Sequence, residues 1–409
     1  MQTQHYPATD NFLDALLKGQ KSRLGAVFSD PAAYRLQIIF TRIDRDARQH
    51  PHFTDYSYGV SPGTYYYPAS TVKLPGAILA LEKLYDLQIA GATRNTPMFT
   101  APLPGVNPGV LHDYSAADKV PSVAHYIKKI FLVSDNDAFN RLYEFVGQEH
   151  FNRRLWEMGY QQAHIRHRVG LPLHEEANKY TNGIRLQQGK HLLYQQPAIR
   201  SNLVFPARQD FAGQAHYNHQ GQLERKPMDF SYRNKLPLTH LHDILRSIIF
   251  PEAVTKQQRF RLTEDDYQFL YRCMSQYPEE SIDPLYDPAH FPQTYAKLLL
   301  FGGMGDQQIP ANIRIFNKPG WAYGFLTDTA YIVDFANNIE FLLSASIFVN
   351  KDGILGDDQQ VFDEIGKPFL KTLGEIIYTA EQQRNKKYQP DLSRFKLNYK
   401  NTNSHITHY

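Results

Sequence analysis

Ser70-Thr71-Val72-Lys73 sets a hydroxyl and an amine three residues apart. On a helix they lie one turn apart on the same face. A serine hydroxyl is a poor nucleophile until a base removes its proton. A lysine does this only when neutral, which requires desolvation or a neighbouring cation. A helix N-terminus also offers backbone N–H groups and a positive dipole end to a developing oxyanion. Taken alone, the tetrapeptide equally describes a helix cap followed by a solvated lysine. A second cluster, Ser134-Asp135-Asn136, falls between two expected helices. There a second hydroxyl can relay a proton to a leaving group, and the asparagine amide can hold a substrate carbonyl. The same three residue types are also good N-caps. A third, Lys318-Pro319-Gly320-Trp321, falls on an expected strand. Its lysine suits a substrate carboxylate, and Gly320 admits a close substrate backbone. The plainer alternative is an edge lysine before a turn.

The order and contexts of these clusters (helix start, helix junction, strand among strands) resemble the Ser-x-x-Lys, Ser-Asp-Asn and Lys-Thr-Gly set of class A β-lactamases and penicillin-binding proteins. The runs YYYPASTVKLPGAILALEKL and IRIFNKPGWAYGFLTDTAYIVD look like that superfamily's nucleophile helix and active-site-edge strand, and the resemblance spans residues 10–385 apart from 187–235. It implies a serine hydrolase that forms an acyl-enzyme with amide or ester substrates. Ser70 is then the nucleophile and Lys73 its base or proton relay. Ser134 passes the proton to the leaving nitrogen, and Asn136 binds the substrate side chain. Lys318 stands near Ser134 and the substrate carboxylate. The N–H groups of Ser70 and Trp321, the latter beside Gly320, form the oxyanion hole. The implied partner is a small-molecule or peptide acyl substrate, with no cofactor, in a periplasmic or secreted setting. Two alternatives stay open: a penicillin-binding-type peptidase acting on cell-wall peptide, and a non-catalytic binding module of the same fold.

Two departures matter. Pro319 replaces the usual hydroxyl residue, which removes one hydrogen bond to a β-lactam carboxylate. The loop HIRHRVGLPLHEEANKYTNG has no glutamate between Arg166 and His174 to activate a deacylating water. Arg168 and the stretch Tyr180-Thr181-Asn182 can bracket this shortened loop. Glu175 and Glu176 are the candidate deacylation bases, but they come late, and an acidic pair on a loop is more often simply solvated. The expectation is weak β-lactam hydrolysis.

These residues need elements to hold them. Apolar spacing suggests helices at 11–27, 69–83, 122–133, 136–158, 239–250, 264–274 and 360–382. Alternation suggests strands near 34–60 and 312–349. Strands at both ends with helices between imply an α/β plus α, β-lactamase-like fold: an antiparallel sheet covered by helices with a separate helical lobe. The expected division is one domain, 10–385, in two lobes. The sheet lobe takes 10–60 and 310–385, and the helical lobe takes 61–309. Residues 187–235 read as an inserted surface segment, and 386–409 as a loose polar tail.

A net charge of +3, from 44 basic and 41 acidic residues, gives no reason to expect nucleic acid. No apolar run reaches the roughly 18–20 residues needed to span a bilayer. The start, Met1 to Asp10, lacks the apolar core of a signal peptide. The single cysteine, Cys273, excludes an intrachain disulfide and reads as a packing residue. The pairs His164/His167, His240/His242 and His405/His408 lack a convincing third ligand, so no metal site is expected. Oligomeric state is not legible.

Overall fold

The computed structural model describes residues 6–61, 63–218, 220–357 and 361–399. His405 and His408, like Met1 to His5, lie outside them.

The strands expected at the two ends of the chain join in one antiparallel sheet. Its members are β1 (Gln37–Arg45), β2 (Pro51–Tyr58), β3 (Ile313–Asn317), β4 (Gly320–Ala322), β5 (Phe325–Asp334) and β6 (Ile339–Phe348). The spatial order is β3-β5-β6-β1-β2, with β4 extending the β3 edge along β5. Alternation in β1 divides its side chains between two cores. Ile38 and Phe40 pack with Leu343 and Ala345 beneath α1 (Asn11–Lys18), α2 (Lys21–Ser29) and α11 (Lys367–Gln383). Ile39 and Ile43 face the helical lobe. Both faces are covered, so β5 and β6 are buried throughout, polar residues such as Thr327, Asp328 and Ser344 included.

The helical lobe contains α3 (Lys73–Leu87), α4 (Val123–Val133), α5 (Asn136–Val146), α6 (Gln148–Glu157), α7 (Glu175–Lys179), α8 (Leu238–Ile249) and α9 (Glu264–Ser275), whereas the short α10 (Leu298–Phe301) packs with α11 on the other face of the sheet. Two expected helices are each broken in two. The segment 11–27 divides at Gly19 and Gln20. The segment 136–158 divides at Gly147, whose φ of +85° no helix accepts. Ser70 lies on a 3-10 turn, Ala69–Val72, rather than on the α-helix itself, which begins at Lys73. At the C-terminal side, a π-helical turn, Phe362–Gly366, leads into α11.

Two segments differ from the sequence reading. The stretch expected as a surface insertion forms short hairpins, and its end enters the core. Phe230 is fully buried, with its ring against Tyr65, Tyr67, Tyr323 and Phe325. Asn234 is fixed by accepting the N–H groups of Arg166 and His167 on one amide oxygen, at 2.7 and 3.1 Å. The tail expected to be loose is packed through its described part. Phe395 is 2% exposed, among Phe250, Tyr271, Phe316 and Tyr331. Two apolar residues in a polar run, Leu392 and Phe395, hold the segment down, a signal too sparse for periodicity to detect.

Candidate active site

The site lies where the β3–β4 edge meets the start of α3 and the α4–α5 junction. Ser134 is the pivot. Its backbone is left-handed, φ +59°, ending α4, and Asp135 immediately caps α5 by accepting the Ala138 N–H at 2.8 Å. Ala69, directly before Ser70, is also left-handed at φ +45°. Such conformations cost a non-glycine residue on the order of 1 kcal/mol or more and persist where surrounding structure enforces them, often at functional sites.

Two lysines converge on Ser134. The buried Lys73 ammonium nitrogen donates to the Ser134 carbonyl and to Asn136 Oδ1 at 2.6 Å, and lies 3.2 Å from Ser134 Oγ. Lys318, 1% exposed, donates to Ser134 Oγ at 2.8 Å and to the Pro319 carbonyl at 2.9 Å. Burial pushes Lys73 down to about 7, only partly opposed by Asp135. Burial, and then the charge of Lys73, pushes Lys318 well below the ordinary lysine value. A neutral amine has two N–H bonds and one lone pair. The Ser134 carbonyl and the Asn136 oxygen take the two donors of Lys73, which leaves its lone pair for a hydroxyl.

Ser70 is half-buried and lies one turn before Lys73 in the chain. Gly320 presses on its backbone: a Cβ at Gly320 would stand 2.7 Å from the Ser70 nitrogen and 2.8 Å from Thr71 N and Pro68 O. Gly320→Ala is therefore expected to push the Ala69–Val72 turn off β4. Acylation should fall by about 10²-fold, the usual result of a 1 Å misplacement. Stopped-flow acylation kinetics on the folded variant check this, and an unchanged rate would refute the close packing.

Three residues that sequence reasoning did not single out support Lys318 from behind. Buried Lys297 donates to Asn317 Oδ1 at 2.8 Å and to the carbonyls of Met274 and Ile315. Asn317 donates to Asp328, which also accepts the N–H groups of Leu298 and Leu299. Burial raises Asp328 to about 6 and lowers Lys297 to about 7. The available signal was a charge inside an apolar run, in YAKLLLF and FLTDTAYIVD.

The loop after the second cluster is clamped at both ends. Arg168, fully buried, pairs with Glu144 at 3.0 Å and donates to the Tyr180 carbonyl at 2.7 Å. Glu144 also receives Asn107 at 2.5 Å and Arg141 at 3.4 Å. Asn182 donates to the carbonyls of Ala101 and Asn107, and Gly170, at φ +73°, packs directly on the Asn136 amide. Glu144→Ala would leave Arg168 buried without its counter-charge. A loss of about 3–5 kcal/mol is expected, read as a lowered urea midpoint. The late acids face other partners. Glu176 pairs with Arg200 at 2.8 Å and Lys179 at 3.1 Å, and Glu175 lies 3.7 Å from Arg166. Among the described residues neither carboxylate bonds to a side chain of the three clusters. Trp321 follows Gly320 on β4, its ring beside Tyr295 and Lys367.

Residues 28–200 match the model of the β-lactamase enzyme family, less than half of the chain. The match includes the first two clusters and stops short of the third. No curated protein matches. Among solved structures, a β-lactamase from Sphaerobacter thermophilus is 11% identical at TM-score 0.47, covering 90% of this chain and 99% of that one. A β-lactamase from Xanthomonas campestris is 14% identical at TM-score 0.48, covering 88% and 98%. A variant of PBP-A, solved as its acyl-enzyme complex with penicillin G, is 13% identical at TM-score 0.47, covering 91% and 98%. No helix among the described residues is long and apolar enough to cross a membrane.

Proposed function

We propose that the protein is a serine hydrolase that acylates Ser70 with amide or ester substrates, accepts β-lactams, and releases the acyl group slowly. The observation that carries this reading is the convergence of Lys73, one turn after Ser70 in the chain, and Lys318 on the Ser134 hydroxyl, at 3.2 and 2.8 Å. A helix cap needs neither lysine, and burying two amines on one hydroxyl is costly without a use for them.

In this mechanism neutral Lys73 takes the Ser70 hydroxyl proton as Oγ attacks the carbonyl carbon. The oxyanion is held by the N–H groups of Ser70 and Trp321. Lys73, now an ammonium, returns the proton through Ser134 Oγ to the leaving nitrogen as the C–N bond breaks. Lys318 binds the substrate carboxylate. Two adjacent buried amines resist being charged together. An arriving carboxylate therefore favours charge on Lys318 and leaves Lys73 neutral, so substrate binding itself prepares the base.

Incubation with benzylpenicillin followed by intact-mass spectrometry tests the reading. Ring opening keeps the leaving nitrogen attached, so the adduct should carry the whole mass of the drug, on the peptide containing Ser70. No adduct, or one mapped elsewhere, would sink it. The acylation rate should rise with pH through about 7 and level off above, because the base is the neutral form and Lys73 loses its proton near that value. A rate that falls over the same range would exclude Lys73 as the base.

A further inference from the structure

Lys297 and Asp328 form a buried pair that takes no part in the mechanism above, and their hydrogen bonds fix their charges. Lys297 Nζ has three acceptors: the Met274 carbonyl at 2.7 Å, Asn317 Oδ1 at 2.8 Å and the Ile315 carbonyl at 3.0 Å. Three N–H donors make an ammonium ion, since a neutral amine has two. The array holds that charge against the burial that lowers Lys297 to about 7. Asp328 meets donors only: the Leu298 and Leu299 N–H groups at 3.2 and 3.1 Å, and Asn317 Nδ2 at 3.0 Å. A protonated carboxyl would need an acceptor, so Asp328 is a carboxylate at neutral pH. Asn317 bridges the two, its oxygen toward the ammonium and its nitrogen toward the carboxylate.

The pair lies directly behind Lys318. Asn317 ends β3 immediately before Lys318, and the Lys318 N–H donates to the carbonyl of Thr329, the neighbour of Asp328 on β5, at 3.1 Å. Lys297, Lys318 and Asp328 are each at most 2% exposed, so water and salt screen them little. Few charges face Lys318. Lys73 on α3 and Lys297 oppose its charge, while Asp328 favours it, more strongly than Lys297 opposes it. Near Lys297, Arg314 and Glu280 hold each other at 2.7 Å. Lys73 feels Asp135, which caps α5 and is partly open to solvent.

Both site lysines reach Ser134 Oγ. A proton passes between them when that hydroxyl takes one from Lys73 and gives its own to Lys318, with total charge unchanged. We propose that Asp328 is a positioning residue: its buried carboxylate draws the proton shared by the two lysines onto Lys318 and leaves Lys73 as the free base, while Lys297, through Asn317, limits that pull. The catalytic consequence rests on the serine-hydrolase reading, but the place of the proton is measurable without any acylation.

Protein labelled with ¹³C at the lysine Cε atoms reports the titration of each amine, with the two signals assigned through Lys73→Arg and Lys318→Arg. Asp328→Asn should lower the pH at which Lys318 loses its proton by about one unit, and raise that of Lys73. Lys297→Met should do the reverse. Opposite signs from the two halves of one hydrogen-bonded pair separate this role from a structural one, which either loss would disturb alike. Near-ultraviolet circular dichroism reports whether each variant is folded. If Asp328→Asn is not, the direction in Lys297→Met decides alone. Acylation by benzylpenicillin should follow, its rise with pH moving up in Asp328→Asn and down in Lys297→Met. Shifts of the same sign in both variants, or no movement of Lys318 in a folded one, overturn the proposal. Titrations as expected in a protein that benzylpenicillin never acylates would uphold the placing of the proton and dismiss the hydrolase reading.

Discussion

Ser70→Ala is expected to abolish acylation, with a drop of at least about 10⁴-fold in labelling by a fluorescent penicillin, while the fold stays within about 0.5 kcal/mol of the parent. Ser70 is half-exposed on a 3-10 turn, and the turn is held by other groups, notably the Thr71 hydroxyl donating to the Pro68 carbonyl at 2.7 Å. Removing one oxygen therefore takes the nucleophile and leaves the scaffold. Lys73→Ala should cost about 10²–10⁴-fold, the contribution of one positioned base. The double variant should be no slower than Ser70→Ala, because the two groups act as a unit. Strictly additive losses, or full labelling of Ser70→Ala at another residue, would displace Ser70 from the role proposed for it.

The second large effect is in release. Hydrolysis of an acyl-enzyme needs a base within about 2.6–3.2 Å of a water, or one water removed. Glu175 and Glu176 are held by Arg166, Arg200 and Lys179 instead. The penicillin adduct is accordingly expected to persist, with deacylation about 10²–10⁴-fold slower than it would be with a positioned general base. Glu175→Gln and Glu176→Gln should leave the decay of the adduct unchanged when followed by intact mass over time. Fast steady-state hydrolysis that disappears in either variant would reverse this conclusion and make that glutamate the deacylation base.

What the sequence made legible was the placing of residue types at fixed local spacing. Ser70 and Lys73 share a turn, Ser134 closes a helix, and the two runs of alternating residues pair into one sheet. What it hid depended on partners distant in the chain. Arg168 reads as one bracket of the loop, but its partner Glu144 looks like a surface charge until the two meet in the core. Lys297 and Asp328 each sit in an apolar run, and only the fold brings Asn317 between them. Helix periodicity also persists across Gly147, because the apolar face resumes in α6 after the break. Phe230 sits in a stretch without periodicity, and its role comes from the aromatic side chains around it.

The pairing of β1 with β6 has a consequence for how the molecule is made. Gln37 opposes Ser346 and Arg42 opposes Phe341, so the centre of the sheet joins two segments some 300 residues apart. Contacts this remote carry the full entropy of closing the intervening chain and form slowly. During synthesis, β1 emerges with only β2 beside it, and one of its edges waits until residues 339–348 have left the ribosome. Lys318 reaches Ser134 only on that same late event. The nascent chain therefore holds Ser70 and Lys73 without Lys318, and it is most exposed to misassociation through the open edge of β1 until strands β5 and β6 arrive.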